Sequence, residues 1–362
     1  MICRLHTRTS LAPIAALVSM ACCVSGSFTA SPAIAQAAGA QLSEIAVYDG
    51  ADRTARLIAG AKKEGAVSVY TSETLEDIAA LSAAFQSKYG IKLNVWRGSS
   101  EDILQRGVVE ARGSRFDADA FETGATAMES LNREHLLQPV ASPAFADLAP
   151  EALRPDHDWV GTRYNIFVAG YNTQIIDKND LPKSYDDFLD PRWRGKLGIE
   201  ADDSDWFGTL VDALGEERGL KLFRDIVAAN GISVRKGHTL LANLVVSGEV
   251  PLALSTYVYR VAQLKRREAP IDWLEIAPVV ARFEGAGIAR RAPHPYAAML
   301  YLDFMLTDAQ QILAQRDFYP ADVKIKPMPA NVKLNFLDPA KALDQSQKWS
   351  KYYRDIVTRQ TR

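Results

Sequence analysis

The chain has 362 residues, 48% of them hydrophobic and 24% charged, with a formal net charge of -2. That composition excludes a collagen-like, low-complexity or disordered chain, and the near-neutral balance argues against nucleic acid as the main partner, because phosphate binding needs a basic footprint. The three cysteines, Cys3, Cys22 and Cys23, all lie early, so the rest of the chain can hold no zinc-thiolate site, iron–sulfur cluster, cysteine nucleophile or internal disulfide.

The first segment reads as an address. Arg4 and Arg8 come without an acid, an apolar run follows over 11–24, and Ala33-Ile34-Ala35 fits the small-x-small cleavage rule. The run is too short to span a bilayer as a stable helix. Acylation of Cys22 or Cys23 is the lipoprotein variant. The residues three places before them are Ser19 and Met20, where such signals use Leu, so cleavage after residue 35 is expected. Cleavage removes two basic residues and no acid, leaving 42 - 2 = 40 basic against 44 acidic, or -4. No second long apolar run follows, so the mature chain is expected to be soluble and exported. At this length one core rarely grows large enough, and two lobes are expected.

Strand-like Val67-Ser68-Val69-Tyr70 precedes Leu75, Ile78, Leu81 and Phe85 at helical spacing. Gly90 suits a left-handed helix cap, and 91–96 reads as the next strand. Residues 117–121 look strand-like and 126–133 helical. Strands are expected over 165–171, 196–199 and 250–254. Helical stripes run through Phe207, Leu210, Val211 and Leu214, through Leu241, Leu244 and Val245, and over 296–305. Thr307-Asp308-Ala309-Gln310 has the pattern of a capping box. Beyond Pro320 the chain is proline-rich, then helical over about 339–357, as an appendage on a lobe. Such alternation means α/β, with parallel sheets covered on both faces.

Four strand-to-helix turns share a chemistry. They are Thr71-Ser72-Glu73-Thr74, Arg97-Gly98-Ser99-Ser100-Glu101, Asp202-Asp203-Ser204-Asp205-Trp206 and Lys236-Gly237-His238-Thr239. Each puts small polar residues where backbone N–H groups are free. Helix capping explains any one of them. Together they also suit capture of an anionic or oxygen-rich ligand beyond the carboxyl ends of strands. Tyr257-Val258-Tyr259-Arg260 follows a strand, and alternation points both phenols the same way, as cleft wall or as core. The sequence has no G-x-S-x-G, H-E-x-x-H, P-loop or G-x-G-x-x-G. Of the later histidines, His135 reads as a helix-end residue and His294 as a turn residue. His157 forms no metal-spaced pair with another. His238 alone lies in a candidate ligand turn.

Over roughly residues 60–330 the chain resembles the extracellular solute-binding proteins of bacterial ABC importers, in the branch that includes ferric-iron-binding periplasmic proteins. Ala61-Lys62-Lys63-Glu64-Gly65, Phe116-Asp117-Ala118-Asp119-Ala120-Phe121, Leu136-Leu137-Gln138-Pro139, Tyr171-Asn172-Thr173 and Pro182-Lys183-Ser184-Tyr185-Asp186-Asp187 carry the resemblance in order. Leu189-Asp190-Pro191-Arg192-Trp193-Arg194-Gly195-Lys196 is its most specific part, followed by Val245-Val246-Ser247-Gly248-Glu249-Val250-Pro251 and Ala292-Pro293-His294-Pro295. It implies a two-lobed, type II periplasmic-binding-protein fold, each lobe a mainly parallel sheet flanked by helices. Lobe 1 would take 36–137 plus about 275–318, and lobe 2 would take 138–274 plus 319–362. It also implies a periplasmic monomer, an inner-membrane ABC permease as partner, and no covalent chemistry or cofactor.

Ferric members hold iron, as transported ligand, through two adjacent tyrosines after the strand equivalent to 250–254. Here Val258 aligns with the first and Tyr259 with the second, with Tyr257 one place earlier. Glu101 falls where the family's glutamate sits, and Thr71-Ser72-Glu73-Thr74 lacks the family's histidine. Tyr257, Tyr259 and Glu101 are therefore the residues for iron. A small organic or phosphorus-containing anion is the leading ligand. Its expected contacts are Ser72, Ser100 and Thr123 from the first lobe, and Ser204, Asp205, Trp206, Arg235, His238, Tyr257 and Tyr259 from the second. Lys236 and Arg260 supply nearby positive charge, and Trp206 a stacking face. An exported hydrolase on the same two lobes and a sensor subunit are the competing classes.

Overall fold

A computed structural model describes residues 42–327 and 332–358. The leader reading of residues 1–35, with its three cysteines, falls outside them.

The first lobe opens with β1 (Ala66–Thr71), β2 (Lys92–Arg97) and β3 (Ala120–Gly124), parallel in the order β2-β1-β3. The helices between them are crossovers. Leu75–Tyr89 turns Ile78, Leu81 and Phe85 inward at three- and four-residue spacing and stops on Gly90, whose φ of 72° suits a residue without Cβ. Ser100–Arg112 starts from a capping box between Ser99 and Asp102. β3 begins three residues after the strand expected at 117, and leads into the helix Ala125–Arg133. A short β4 (Leu137–Gln138) pairs with a later strand.

β5 (Val160–Asn172) is thirteen residues long and buried throughout. Its first half belongs to the first lobe's sheet and its second half to that of the second lobe. β6 (Leu197–Glu200), β7 (Ser233–Arg235), β8 (Leu252–Tyr257) and β9 (Ile271–Leu274) complete the second sheet, with β6 parallel to β7 and β8. β10 (Val279–Ala289) carries the chain back, antiparallel to both β3 and β5.

Two main cores follow this division. On β5 the core alternates with the face, Ile166 and Val168 in the first and Phe167 and Ala169 in the second. The strand changes its partner from β10 to β8 between Ile166 and Phe167, so the sheets meet there and not at the expected 137–138. Residues 140–166 pack with the first lobe, because β5 pairs there with β10 before it leaves. The return comes over 276–281. Phe318 and Ala321 also join the first core, while Trp349, Tyr353, Ile356 and Val357 join the second.

The expected C-terminal helix is two helices, Pro339–Asp344 and Ser346–Tyr353, and a closing turn. The first reaches both lobes: Asp344 pairs with Arg133 at 2.5 Å and Lys341 with Asp212 at 2.6 Å. The capping box expected at Thr307 is absent. Its hydroxyl donates back to the Asp303 carbonyl at 2.6 Å and leaves the helix Asp308–Gln315 without a side-chain cap.

Candidate functional site

The helix Ala125–Arg133 has Gly124 at its N-cap and no capping side chain, so its first N–H groups have no partner within the helix. Gly124 is also the last residue of β3, so the strand passes into this helix without a loop. A Cβ built on Gly124 would lie 3.4 Å from Ser100 Oγ, 3.9 Å from Glu284 Oε2 and 4.0 Å from Arg282 Cζ. Thr123 Oγ1 donates to Ser100 Oγ at 2.8 Å. One small region thus gathers two hydroxyls and an open helix end from the first lobe with charges from the crossing strand β10.

Arg282 is the hub. Its Nη2 donates to Tyr257 Oη at 2.5 Å, and its Nη1 to Asp205 Oδ2 at 3.2 Å. Its side chain is 15% exposed. Burial works against its charge, but Tyr257, Asp205 and Glu284 hold it fully protonated. Burial likewise pushes the Tyr257 phenol up, with Arg282 opposing. Asn165 Nδ2 donates to Glu284 Oε1 at 2.9 Å. Alternation on β5 and β10 brings Arg163, Asn165, Arg282 and Glu284 to the lobe border. Among the described residues, four buried atoms of this set have no hydrogen-bond partner: Arg163 Nε, Asn165 Oδ1, Arg282 Nε and Glu284 Oε2. Such an orphan costs about 1–3 kcal/mol, and the four set unpaired donors beside unpaired acceptors at the lobe border.

Beside it, Arg163 pairs with Glu73 at 2.5 Å and with Glu122 at 2.7 Å. Burial raises the Glu73 carboxyl to about 7 against the pull of Arg163. Tyr259 stacks on Tyr257, with ring centroids 5.7 Å apart, and on Phe318 at 4.0 Å. Burial raises its phenol as well. Tyr257 ends β8 and Val258 opens the helix Val258–Arg266. The phenols are neighbours across that junction, not by strand alternation. His238 lies 4.1 Å from the Tyr257 ring, centroid to centroid. Its Nε2 is 3.1 Å from Asp203 Oδ1 and its Nδ1 is 3.1 Å from the Ser255 carbonyl.

Of the residues expected from sequence, Ser100, Thr123, Asp205, Tyr257 and Tyr259 come together here, with His238 at the edge. Others do not. Trp206 is 1% exposed and packs against Phe167 and Phe223, because the stripe of the helix Ser204–Leu214 turns it inward; it offers no stacking face. Ser204 Oγ faces Ser350 Oγ at 3.2 Å on the C-terminal helix. Glu101 is exposed and accepts from Gln105 at 2.7 Å, and among the described residues no hydrogen bond or ion pair joins it to either tyrosine. Arg235 pairs with Glu249 at 3.0 Å, Lys236 with Asp202 at 3.6 Å, and Arg260 turns to Asn243 and Gln263. Ser72 is half-buried and donates its N–H to the Glu122 carbonyl at 3.1 Å. The sequence reading missed Gly124, Thr126, Arg163, Asn165, Arg282 and Glu284. The available signal was a pair of charges, Arg282 and Glu284, two apart inside an apolar strand.

Relatives share this architecture. The chain is 27% identical to "Iron uptake protein A1" of Synechocystis sp. over 275 residues, covering 70% of this chain and 75% of that one. It is 23% identical to the "Fe(3+)-binding periplasmic protein" of Serratia marcescens, covering 82% and 91%. Iron-bound HitA from Pseudomonas aeruginosa superposes with a TM-score of 0.68 at 24% identity, covering 80% of this chain and 99% of that one. AfuA from Actinobacillus pleuropneumoniae, with fructose-6-phosphate bound, gives 0.72 at 18% identity, covering 82% and 99%. The two-lobed type II periplasmic-binding-protein fold follows from these superpositions. With residues 119–345 matching the family model of that description, the chain belongs to the bacterial extracellular solute-binding proteins.

Proposed function

We propose that this chain is the periplasmic substrate-binding subunit of an ABC importer, and that its solute is a small organic or phosphorus-containing anion. The observation that carries the anion is Arg282, half-buried at the lobe border and facing the uncapped N-terminus at Gly124. A guanidinium and a helix end both favour negative charge, and Ser100 and Thr123 add hydroxyl donors. Binding closes the lobes because only the closed form touches the solute from both sides. The closed form is what a membrane permease reads, and the protein does no covalent chemistry. The basic, apolar and small-residue order of the first 35 residues supports export and cleavage.

Ferric iron is the second reading. The stacked Tyr257–Tyr259 pair and the iron-binding relatives favour it, since phenolates are hard donors. Against it, Arg282 already donates to the Tyr257 oxygen that iron would need, and Glu101 is engaged elsewhere.

Native mass spectrometry of freshly purified protein, followed by identification of the retained solute, tests the proposal. A phosphate ester, phosphonate or carboxylate of small mass is expected. Ferric-loaded protein is expected to be colourless. A visible phenolate-to-iron absorption band that disappears in both Tyr257→Phe and Tyr259→Phe would establish iron in place of the anion.

A further inference from the structure

Glu200 ends β6, Asp203 is the N-cap of the helix Ser204–Leu214, and His238 opens the helix His238–Ser247. One donor atom from each lies within 4.8 Å of the other two. We propose that these three side chains bind a divalent first-row transition-metal ion of the zinc type, at a site distinct from the Arg282 cluster.

The imidazole carries the argument. His238 Nδ1 faces the Ser255 carbonyl at 3.1 Å, and a carbonyl can only accept, so Nδ1 bears the proton. Nε2 then faces Asp203 Oδ1, 3.1 Å away. That gap takes either the second proton of an imidazolium or a metal ion that displaces it. A backbone carbonyl on the far nitrogen is also the usual outer-shell support of a metal-bound histidine. Two ligands about 2.0–2.2 Å from one tetrahedral ion stand about 3.3–3.5 Å apart, so an ion here needs His238 and Asp203 to part slightly from 3.1 Å and Glu200 to close on them from within 4.8 Å.

The carboxylates give independent support. Asp203 is 1% exposed, and its Oδ2 has no hydrogen-bond partner among the described residues. Glu200 is 4% exposed. It accepts from the Gly237 N–H at 2.8 Å through Oε1 and from the Asp202 N–H at 2.5 Å through Oε2, which leaves a lone pair on each oxygen. An imidazole with two carboxylates suits zinc, manganese or ferrous iron. The 19% exposed His238 side chain provides the entry. The ion would tie two helix N-termini of the second lobe together and hold His238 against Tyr257. It acts on the cleft wall whichever solute the cleft takes.

The test uses chelator-treated full-length mature protein, titrated with zinc by calorimetry and with cobalt(II) by visible absorption. One equivalent of saturable uptake, a ligand-field band and a raised melting temperature are expected. His238→Gln and Asp203→Asn should each weaken uptake at least about tenfold, as loss of a metal-site contact does. Circular dichroism checks that both variants fold. The imidazole 15N resonances of the unaltered protein give a readout that needs no variant: zinc should shift Nε2 and leave Nδ1–H in place. Absence of saturable uptake, uptake unchanged in both variants, or an Nε2 that keeps its proton in the presence of zinc overturns the site and leaves an imidazolium–carboxylate pair.

Discussion

Thr126 donates its hydroxyl to Asp205 at 3.2 Å, and that bond spans the two lobes. Thr126 stands in the first turn of a first-lobe helix and Asp205 in the first turn of a second-lobe helix. The same carboxylate accepts from Arg282. A carboxylate of the chain itself thus holds the guanidinium and the opposite lobe together, and closure has support that owes nothing to a solute. The double variant Thr126→Val, Asp205→Ala is expected to enlarge the radius of gyration of solute-free protein in small-angle X-ray scattering, with added solute restoring the smaller value. An unchanged radius would show that other contacts hold the lobes.

Arg282→Lys keeps the charge and loses the fork that serves Tyr257 and Asp205 at once. Truncating one member of a buried, hydrogen-bonded charge pair costs about 2–5 kcal/mol, so solute affinity should fall at least about thirtyfold. Isothermal titration of the identified solute reads this directly. An affinity within twofold of the parent removes Arg282 from the site.

Gly124→Ala separates binding from folding. Gly124 has φ -58°, an ordinary value for alanine, and the added Cβ would meet its neighbours at van der Waals distance. The melting temperature should hardly change. The methyl group nevertheless fills the approach to the open helix end, where a backbone without Cβ lets a ligand come close. A loss of affinity of about tenfold, or about 1.4 kcal/mol, is expected. Equal affinity would place the solute elsewhere.

His294 and Glu73 are among the groups that make stability fall as pH rises through neutrality. The Asp119 hydrogen bond raises His294 above its ordinary value, against burial. Asp119 Oδ2 lies 2.9 Å from His294 Nδ1, and Oδ1 accepts the His294 backbone N–H at 2.7 Å. Burial raises Glu73 to about 7. In both cases the folded chain holds its proton more tightly than the unfolded chain. The stabilisation is therefore complete below the unfolded values, about 6.5 for His and 4.3 for Glu, and is lost as pH passes through the folded ones. Urea unfolding at pH 6 and pH 8 should give the higher stability at pH 6, and His294→Ala with Glu73→Gln should reduce the difference, with His238 contributing the remainder. A parent that is more stable at pH 8 contradicts the assignment.

Local rules made much of the fold readable. Gly90 ends its helix in the left-handed region, and Ser99 and Thr74 cap theirs, as their residue types require. The stripes through Ile78 and Phe207 face the cores. The site was less readable, for two physical reasons. A strand-to-helix turn fixes where a side chain starts but not where it points: Asp205 enters the cleft, while its neighbours Ser204 and Trp206 turn to the C-terminal helix and the core. Arg163 and Arg282 lie far apart in sequence, and only the antiparallel pairing of β5 with β10 brings their strands together, a long-range contact that no local pattern encodes. Glu101 shows the converse, a residue expected from the resemblance alone that is exposed in the structure.

β5 pairs with β10 up to Ile166 and with β8 from Phe167, so the sheet changes partner across one peptide bond. The joint between the two sheets is therefore short on β5. A small change in the dihedrals at that joint swings every residue of a lobe by an amount that grows with distance from it, so the outer rims travel farthest while the solute-facing groups barely shift. Under the proposed function, occupancy of the cleft sets the angle at that joint and reaches the surface as a larger displacement that another molecule can sense without reaching inside.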